Sequence, residues 1–440
     1  MTRSRLNKLL SSFMILLAIL GWHISCRALT GDTDENFNID GSIRNIISFI
    51  DYSGLTSGYT KGIDHDFPVS TILRLTSEGQ PKENISYEIH LVQDLQSPPP
   101  KEMGMGSDAP QARYKAIDAS CDWHEGSNTA SLRLDRLNLR YSLPWSDLTI
   151  GRQAITFGKA YFWNPLDIFH PFEPHQLDRD YKPGVDGIRM DIPLDLFSGI
   201  NLISVFGPDI TTSGSSPPED GIWNSSTQGS AFFGRAYTLL SDWDLTVQAG
   251  KIYGGYHIGA GAVGEIGWME TRLEASWFKP SSGITAFMPP PYQGDLMEEH
   301  RAAVIGIGHR FHNSLTFEVE YLFNGAADPC DLGSSAFRQV HGASMQMSRK
   351  LLGVMSSYEF LPIVTGQMVW IYSISDHSLL SQPVLFISLA DEIDLILGAA
   401  ISSGKRPDVP PLPQLPKLRS EFGSYPDTFF LEFKYYFRAH

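Results

Sequence analysis

The 440-residue chain carries 34 basic and 49 acidic side chains, a net charge of −15 that argues against a nucleic-acid partner. Its 3 cysteines are too few for a disulfide-built scaffold. After the N-terminal 28 residues no apolar window approaches the ~20 residues of a membrane-spanning helix, and no linker divides the chain as a soluble protein of this length would normally be divided.

In chain order, Arg3, Arg5 and Lys8 precede an apolar run from Phe13 to Trp22 and a small-residue site at Cys26-Arg27-Ala28. This is the order of a secretory signal peptide over 1–28, cut after Ala28, with a lipid-anchored Cys26 as the rival reading. The exported remainder reads as a short periplasmic segment over 29–42 and one β domain over 43–438. Runs of about ten residues with period-two alternation recur at 43–53, 67–76, 84–94, 129–142, 146–157, 185–194, 199–207, 229–240 and 243–252. They continue at 255–267, 269–279, 299–312, 314–324, 353–361, 365–376, 383–391, 393–402 and 427–438. A weaker alternation at 337–349 is read as loop to preserve the parity of the connections.

Those connections are short at 143–147, 241–244, 267–268, 312–313, 362–365 and 391–394, and long at 95–128, 158–184, 208–228, 280–298, 325–352 and 403–426. Short periplasmic turns and long extracellular loops are the pattern of a membrane barrel. The expected fold is therefore all-β: a transmembrane antiparallel barrel of about 18 strands with both termini periplasmic. Cys121 and Cys330 fall in long loops and are expected as unpaired thiols.

The faces of the strands agree. Phe429, Leu431, Phe433, Tyr435 and Phe437 alternate with Phe430, Glu432, Lys434, Tyr436 and Arg438; Phe317, Val319, Tyr321 and Phe323 alternate with Glu318 and Glu320. A charge on the lipid face costs up to ~2–4 kcal/mol at mid-membrane, so the charged face is assigned to a wet lumen. Trp145, Trp243 and Trp268 lie at short turns, where an interfacial girdle belongs. A soluble sandwich also alternates, but the strand number, the export signal and the lack of a covering helix stand against it.

The signal peptide, "GRQAITFGKAYFWNPLDIFHPF" from 151, "KPGVDGIRMDIP" from 182 and the aromatic last strand resemble a Gram-negative outer-membrane porin. Over 151–192 the resemblance narrows to alginate-export-like and uncharacterised porin-type barrels. It implies a place in the cell outer membrane. The implied partners are outer-membrane lipid, the barrel-assembly and periplasmic chaperone machinery, and a small hydrophilic solute. It also implies an assembly signal at Phe433, Tyr435 and Phe437, displaced from the chain end by Arg438-Ala439-His440.

Motifs for other chemistry fail. "GAGAVG" at 259–264 matches a dinucleotide fingerprint but precedes a strand, where small residues that let neighbouring side chains crowd in explain it better. His170, Glu173 and His175 could gather a metal but read as solvated loop residues. No enzyme, cofactor or metal site is expected. The loop 158–184 is too aromatic for disorder and carries charges in its second half. It is expected to fold into the barrel mouth as a constriction, with packing over the outer rim as the alternative. Candidate lumen charges are Arg133, Arg140, Arg152, Arg189, Arg272, Arg310, Glu318 and Glu320, joined in or beside the loop by Asp167, Arg179, Asp180, Lys182 and Asp186. The expected function is a passive diffusion channel for small hydrophilic or charged solutes. Alginate-type polysaccharide export, or a barrel enzyme or surface scaffold, are the alternatives.

Overall fold

In a computed structural model of the chain, the described residues are 37–55, 59–60, 62–99, 113–126, 128–169, 181–209, 221–281, 288, 292, 294–409 and 417–439. The signal peptide expected over 1–28, the loop residues Arg179 and Asp180, and His170, Glu173 and His175 lie outside them.

Twenty strands are described. The first ten are β1 (Phe37–Asp51), β2 (His65–Asp66), β3 (Val69–Lys82), β4 (Ile85–Gln96), β5 (Ser120–Glu125), β6 (Asn128–Leu143), β7 (Ser146–Gln153), β8 (Val185–Pro193), β9 (Gly199–Val205) and β10 (Ala231–Leu240). The rest are β11 (Trp243–Ile252), β12 (Gly255–Ile266), β13 (Met269–Pro280), β14 (His300–Arg310), β15 (Thr316–Asn324), β16 (Lys350–Leu361), β17 (Val364–Ser373), β18 (Leu379–Ala390), β19 (Ile393–Ser403) and β20 (Asp427–Ala439). The two-residue β2 only extends the end of β1, and β5 hairpins onto the upper part of β6. The other 18 form the wall, each antiparallel to the next. The wall closes where β20 returns to β1, in register from Ile39 opposite Ala439 to Asp51 opposite Asp427.

Alternation sets the two surfaces. In β20, Phe429, Leu431 and Phe433 are exposed on the outside while Phe430, Glu432 and Lys434 are buried on the inside. In β15, Glu318, Glu320, Leu322 and Asn324 are buried and Phe317 is exposed. A closed sheet leaves no free edge, and the outward apolar rows make its exterior a lipid-facing surface.

Every strand expected from periodicity is present, with ends shifted by a few residues. The largest shifts are at the end of β3, which runs on to Lys82, and at the start of β1, which begins at Phe37, inside the stretch read as a periplasmic lead-in. Gly41 makes this pairing possible, since a Cβ there would stand 2.2 Å from the Phe437 ring across the seam. Loop 325–352 holds a helix, α1 (Leu332–Val340), which sequence reading missed; the Asp331 side chain accepts from the Ser334 N–H at 3.1 Å and caps it. The hydrogen-bond demand of its first turn is met locally, and that outweighs the weak alternation over 337–349.

One gap in the wall is repaired from elsewhere in the chain. β7 stops at Gln153, and above that point β5 takes its place beside β6 while Tyr114 lies beside β8, its carbonyl accepting from the Asp186 N–H at 3.0 Å. The strand expected over 146–157 therefore leaves the wall four residues early.

Candidate functional site

Two glycines bracket the point where the chain leaves the wall: Gly151 near the end of β7 at φ +117° and Gly158 beyond it at φ +93°, conformations that side chains rarely adopt. The irregular segment that follows is buried at Ile155, Phe157, Phe162, Trp163, Leu166, Ile168 and Phe169. Phe162 and Trp163 cluster with Val304 of β14, Leu322 of β15, Leu351 of β16 and Ile371 of β17. Phe157 and Phe169 cluster with Ile203 of β9, Phe233 of β10 and Phe278 of β13. All of these wall residues belong to inward rows.

Wall glycines form the seats. A Cβ at Gly353 of β16 would stand 2.6 Å from the Phe162 ring, and Cβ atoms at Gly259 and Gly261 of β12 would stand 2.5 and 2.8 Å from the Leu166 side chain. The "GAGAVG" stretch is thus a strand whose glycines receive a side chain from the infolded segment.

Two wall carboxylates hold the backbone of the same segment. Glu320 accepts from the N–H groups of Tyr161 at 2.7 Å, Phe162 at 3.0 Å and Trp163 at 2.9 Å. Glu274 accepts from Lys159 at 2.5 Å, Ala160 at 3.2 Å and Leu166 at 3.4 Å. Gly306 on β14 leaves the space beside it that Glu320 occupies. Side-chain amides add two bonds, from Gln248 to the Leu166 carbonyl at 2.9 Å and from Gln367 to the Tyr161 hydroxyl at 3.1 Å. A carboxyl group offers two acceptor oxygens, so each of these caps several amides that have left the sheet.

Most of the anticipated charges are already partnered. Arg272 pairs with Glu318 at 2.6 Å and with Glu270 at 2.9 Å; Arg189 pairs with Asp191 at 2.8 Å; Arg140 pairs with Asp147. Asp167 and Lys182 form a buried ion pair within the loop, 2.5 Å between Oδ2 and Nζ. Burial pushes the Asp167 carboxyl up to about 6, against the pull of Lys182, and pushes Lys182 down. Arg133 and Arg310 are exposed and have no ion-pair partner among the described residues.

Arg152 and Asp186 do not join the lumen charges. Arg140, Thr149 and Arg189 are in register on the inward row, whereas Arg152 stands opposite Leu137 and Asp186, one residue out of step. The Arg152 guanidinium donates to Asp186 at 2.6 and 2.8 Å and to the carbonyl of Leu134 at 2.9 Å, and Asp186 accepts from the Ala116 N–H at 2.8 Å. This pair cements the repaired wall.

Several inward ion pairs and donors are not among the candidate lumen charges, although alternation places Glu432 on the inward face of the last strand. Arg44 and Glu432 pair across the seam at 2.5 Å, Arg136 and Glu88 at 2.7 Å, and Arg74 and Asp135 at 2.9 Å, with Arg74 also 3.8 Å over the ring of Tyr181. Arg235 donates to Asn201 at 3.0 Å and Thr246 at 3.1 Å and lies 5.0 Å from the Phe157 ring. Parity alone could have found Arg44, Arg74 and Arg235; Asp135 it could not, because a bulge opposite His90 and Leu91 breaks the count. Glu78, Glu88 and His90 are close enough to gather a metal, but Glu88 is already held by Arg136 and, at 2.8 Å, by Asn138. Cys121 in β5 and Cys330 before α1 are exposed and free.

A closed wall of 18 strands around an inward-folded segment defines an outer-membrane-porin fold. Solved structures share it. Acinetobacter baumannii OccAB2 matches with a TM-score of 0.57 at 9% identity, over 92% of this chain and 99% of its own. The BenF-like porin of Pseudomonas fluorescens gives 0.56 at 10% identity, over 92% and 99%. The outer membrane protein OpdK of Pseudomonas aeruginosa gives 0.54 at 9%, over 92% and 99%. At such identities the likeness is one of fold. No protein-family model matches the sequence, and no curated protein is similar to it.

Proposed function

We propose that the chain is an outer-membrane channel for passive diffusion of small hydrophilic or charged solutes, and that the loop 158–184 narrows its lumen. The observation that carries this reading is the double clamp of Glu274 and Glu320 on six backbone amides of the infolded segment. A segment fixed to the inner wall reduces the open cross-section while the strands outside it remain paired, and pore width with wall charge sets selectivity.

The charges favour a small solute over a polyanion, since an export path for a polyanion calls for a predominantly basic lumen. Here Arg44, Arg74, Arg136, Arg189 and Arg272 each have an acidic partner. Arg235 has no ion-pair partner among the described residues, so it offers a local attraction for an anionic group beside Phe157. One similar structure, Pseudomonas aeruginosa OpdK, was solved with vanillate, and that compound makes a reasonable first solute to try. The same reading makes the outward row of Phe433, Tyr435 and Phe437 the assembly signal, and makes Arg133, Arg140, Arg189, Arg272 and Arg310 parts of the lumen wall.

Single-channel recording in planar bilayers tests the proposal. The parent should conduct, and replacing Tyr161–Lys182 by a short Gly/Ser link should raise its conductance. Absence of conductance would overturn the channel, and an unchanged conductance in the deletion would move the constriction elsewhere.

A further inference from the structure

The outward face of a membrane barrel is expected to be apolar and convex. On β10–β15 it is instead hollowed. Ala236, Ala249, Ala260, Ala275 and Ala303 form the floor of a groove of about 830 Å³. Larger outward residues, Val247, Ile258, Trp277 and Phe323, stand along it. Each Ala stands where a larger side chain would fill the wall's outer contour, so the floor of the groove is apolar and open to the lipid side.

A second feature lies at the upper end of this groove, toward the long connections. Lys279 of β13, Arg301 of β14 and Lys350 of β16 are all outward and exposed, with no ion-pair partner among the described residues. Register sets their places: Arg301, opposite Trp277, lines the groove itself, Lys350 is opposite Phe323 of its lining, and Lys279, opposite Tyr256, lies one outward position beyond Trp277 on β13. Lys251 of β11 also points outward there, but its ammonium is taken by backbone carbonyls, that of Ser230 at 2.9 Å. One carboxylate stands among them, Glu299, which accepts from the Trp277 indole N–H at 3.1 Å. Among the described residues, three free cations against one engaged carboxylate leave a net positive rim.

We infer that this face binds one phosphorylated, multiply acylated lipid of the outer leaflet, with an acyl chain in the alanine groove and its phosphates held along the row of cations formed by Lys279, Arg301 and Lys350. Both halves of the site match one ligand: hydrocarbon fits the groove, and a phosphate at headgroup depth answers cations that otherwise face outward without partners. The inference rests on the outer-membrane placement proposed above, which puts the long connections, and this rim with them, in the outer leaflet.

The test uses the full chain purified in a neutral detergent, with lipid A and dephosphorylated lipid A as probes and native mass spectrometry as readout. Lipid A should remain bound to the parent. Retention should fall at least tenfold for the dephosphorylated probe, for the K279S/R301S/K350S variant, and separately for A260F/A275F, which fills the groove and keeps the cations. Equal retention in all of these would overturn the inference, as would protein dimers or trimers lost on filling the groove, which would make a second copy the occupant. Conductance of the same preparations in planar bilayers is read in parallel. Conducting variants that lose lipid support the site, conducting variants that retain it refute the site alone, and a silent parent refutes the channel.

Discussion

Replacing Glu320 by Ala tests the attachment of the infolded segment directly. The substitution removes one carboxylate that is 1% exposed and leaves the N–H groups of Tyr161, Phe162 and Trp163 without their acceptor. An orphaned buried amide costs about 1–3 kcal/mol, so three cost about 3–9 kcal/mol if nothing replaces the carboxylate. Water admitted from the lumen recovers part of this. A residual loss of about 3 kcal/mol still lowers the attached-to-detached ratio by a factor of ~100. The wall should survive, because β15 keeps its backbone pairing with β14 and β16, and migration before and after heating on a denaturing gel would check that. Single-channel current should then become noisier and step between the parent level and a larger one. Parent-like conductance and noise in a folded Glu320→Ala variant would refute the argument that these hydrogen bonds hold the segment.

Gly353→Leu should act in the same direction by eviction, since its Cβ alone would stand 2.6 Å from the Phe162 ring; a rise in open-channel noise is expected, and quiet parent-like current would count against the seat. Arg235→Gln should lower the anion-to-cation permeability ratio read from reversal potentials in a salt gradient, and an unmoved reversal potential would remove Arg235 from the selective wall. Glu421 is wholly buried in the 417–425 connection, where burial, and then Asp376, push its carboxyl up to about 7. Because its folded value lies above the unfolded one, the cost of ionising it is absent at acid pH and grows as pH rises from about 4.5 to about 7, to on the order of 3 kcal/mol. Protection factors at 344–349 and 417–425, taken relative to the base-catalysed intrinsic exchange rate at each pH, should therefore be lower at pH 8 than at pH 5, and Glu421→Gln should abolish that difference in protection; a variant that keeps it would refute the assignment. In a background with Cys121 and Cys330 changed to Ser, a cysteine at Lys417 should react with an impermeant thiol reagent on intact cells and one at Asp242 should not. The reverse pattern would invert the topology.

The wall was legible in the sequence because period-two alternation is local, and the barrel requires nothing more of each strand than one wet face and one greasy face. What is not local was missed. Arg152 reads as one more inward arginine until Gly151 is seen to turn the backbone and the 114–125 stretch is seen to fill the gap. Glu318 and Glu320 look alike as sequence, yet one braces an arginine in the wall and the other caps the loop. The difference lies in what arrives opposite them: an arginine 46 residues away for Glu318, and the loop backbone more than a hundred and fifty residues away for Glu320. The infolding could be suspected from the aromatic content of 157–172, but its seats are glycines, which carry no pattern of their own. Asp135, in a bulge, and α1, fixed by a single capping Asp, each depend on one residue and leave no periodic trace.

The seam between the first and last strands carries a consequence for how the molecule is made. Its buried Arg44–Glu432 bond joins residues 388 positions apart, and β1 cannot gain its second neighbour until β20 exists. The entropy of closing so long a loop is modest, only ~0.6 kcal/mol for each doubling of length. Time is the larger difficulty: at about 5–20 residues per second, tens of seconds of synthesis separate the two strands. Throughout that interval β1 has at least one unmet row of amides and carbonyls, the kind of edge that recruits stray strands. The polypeptide is therefore open to pairing with its own kind until the 13 residues of β20 are delivered, and a chain cut short before Asp427 is expected to remain an open, adhesive sheet.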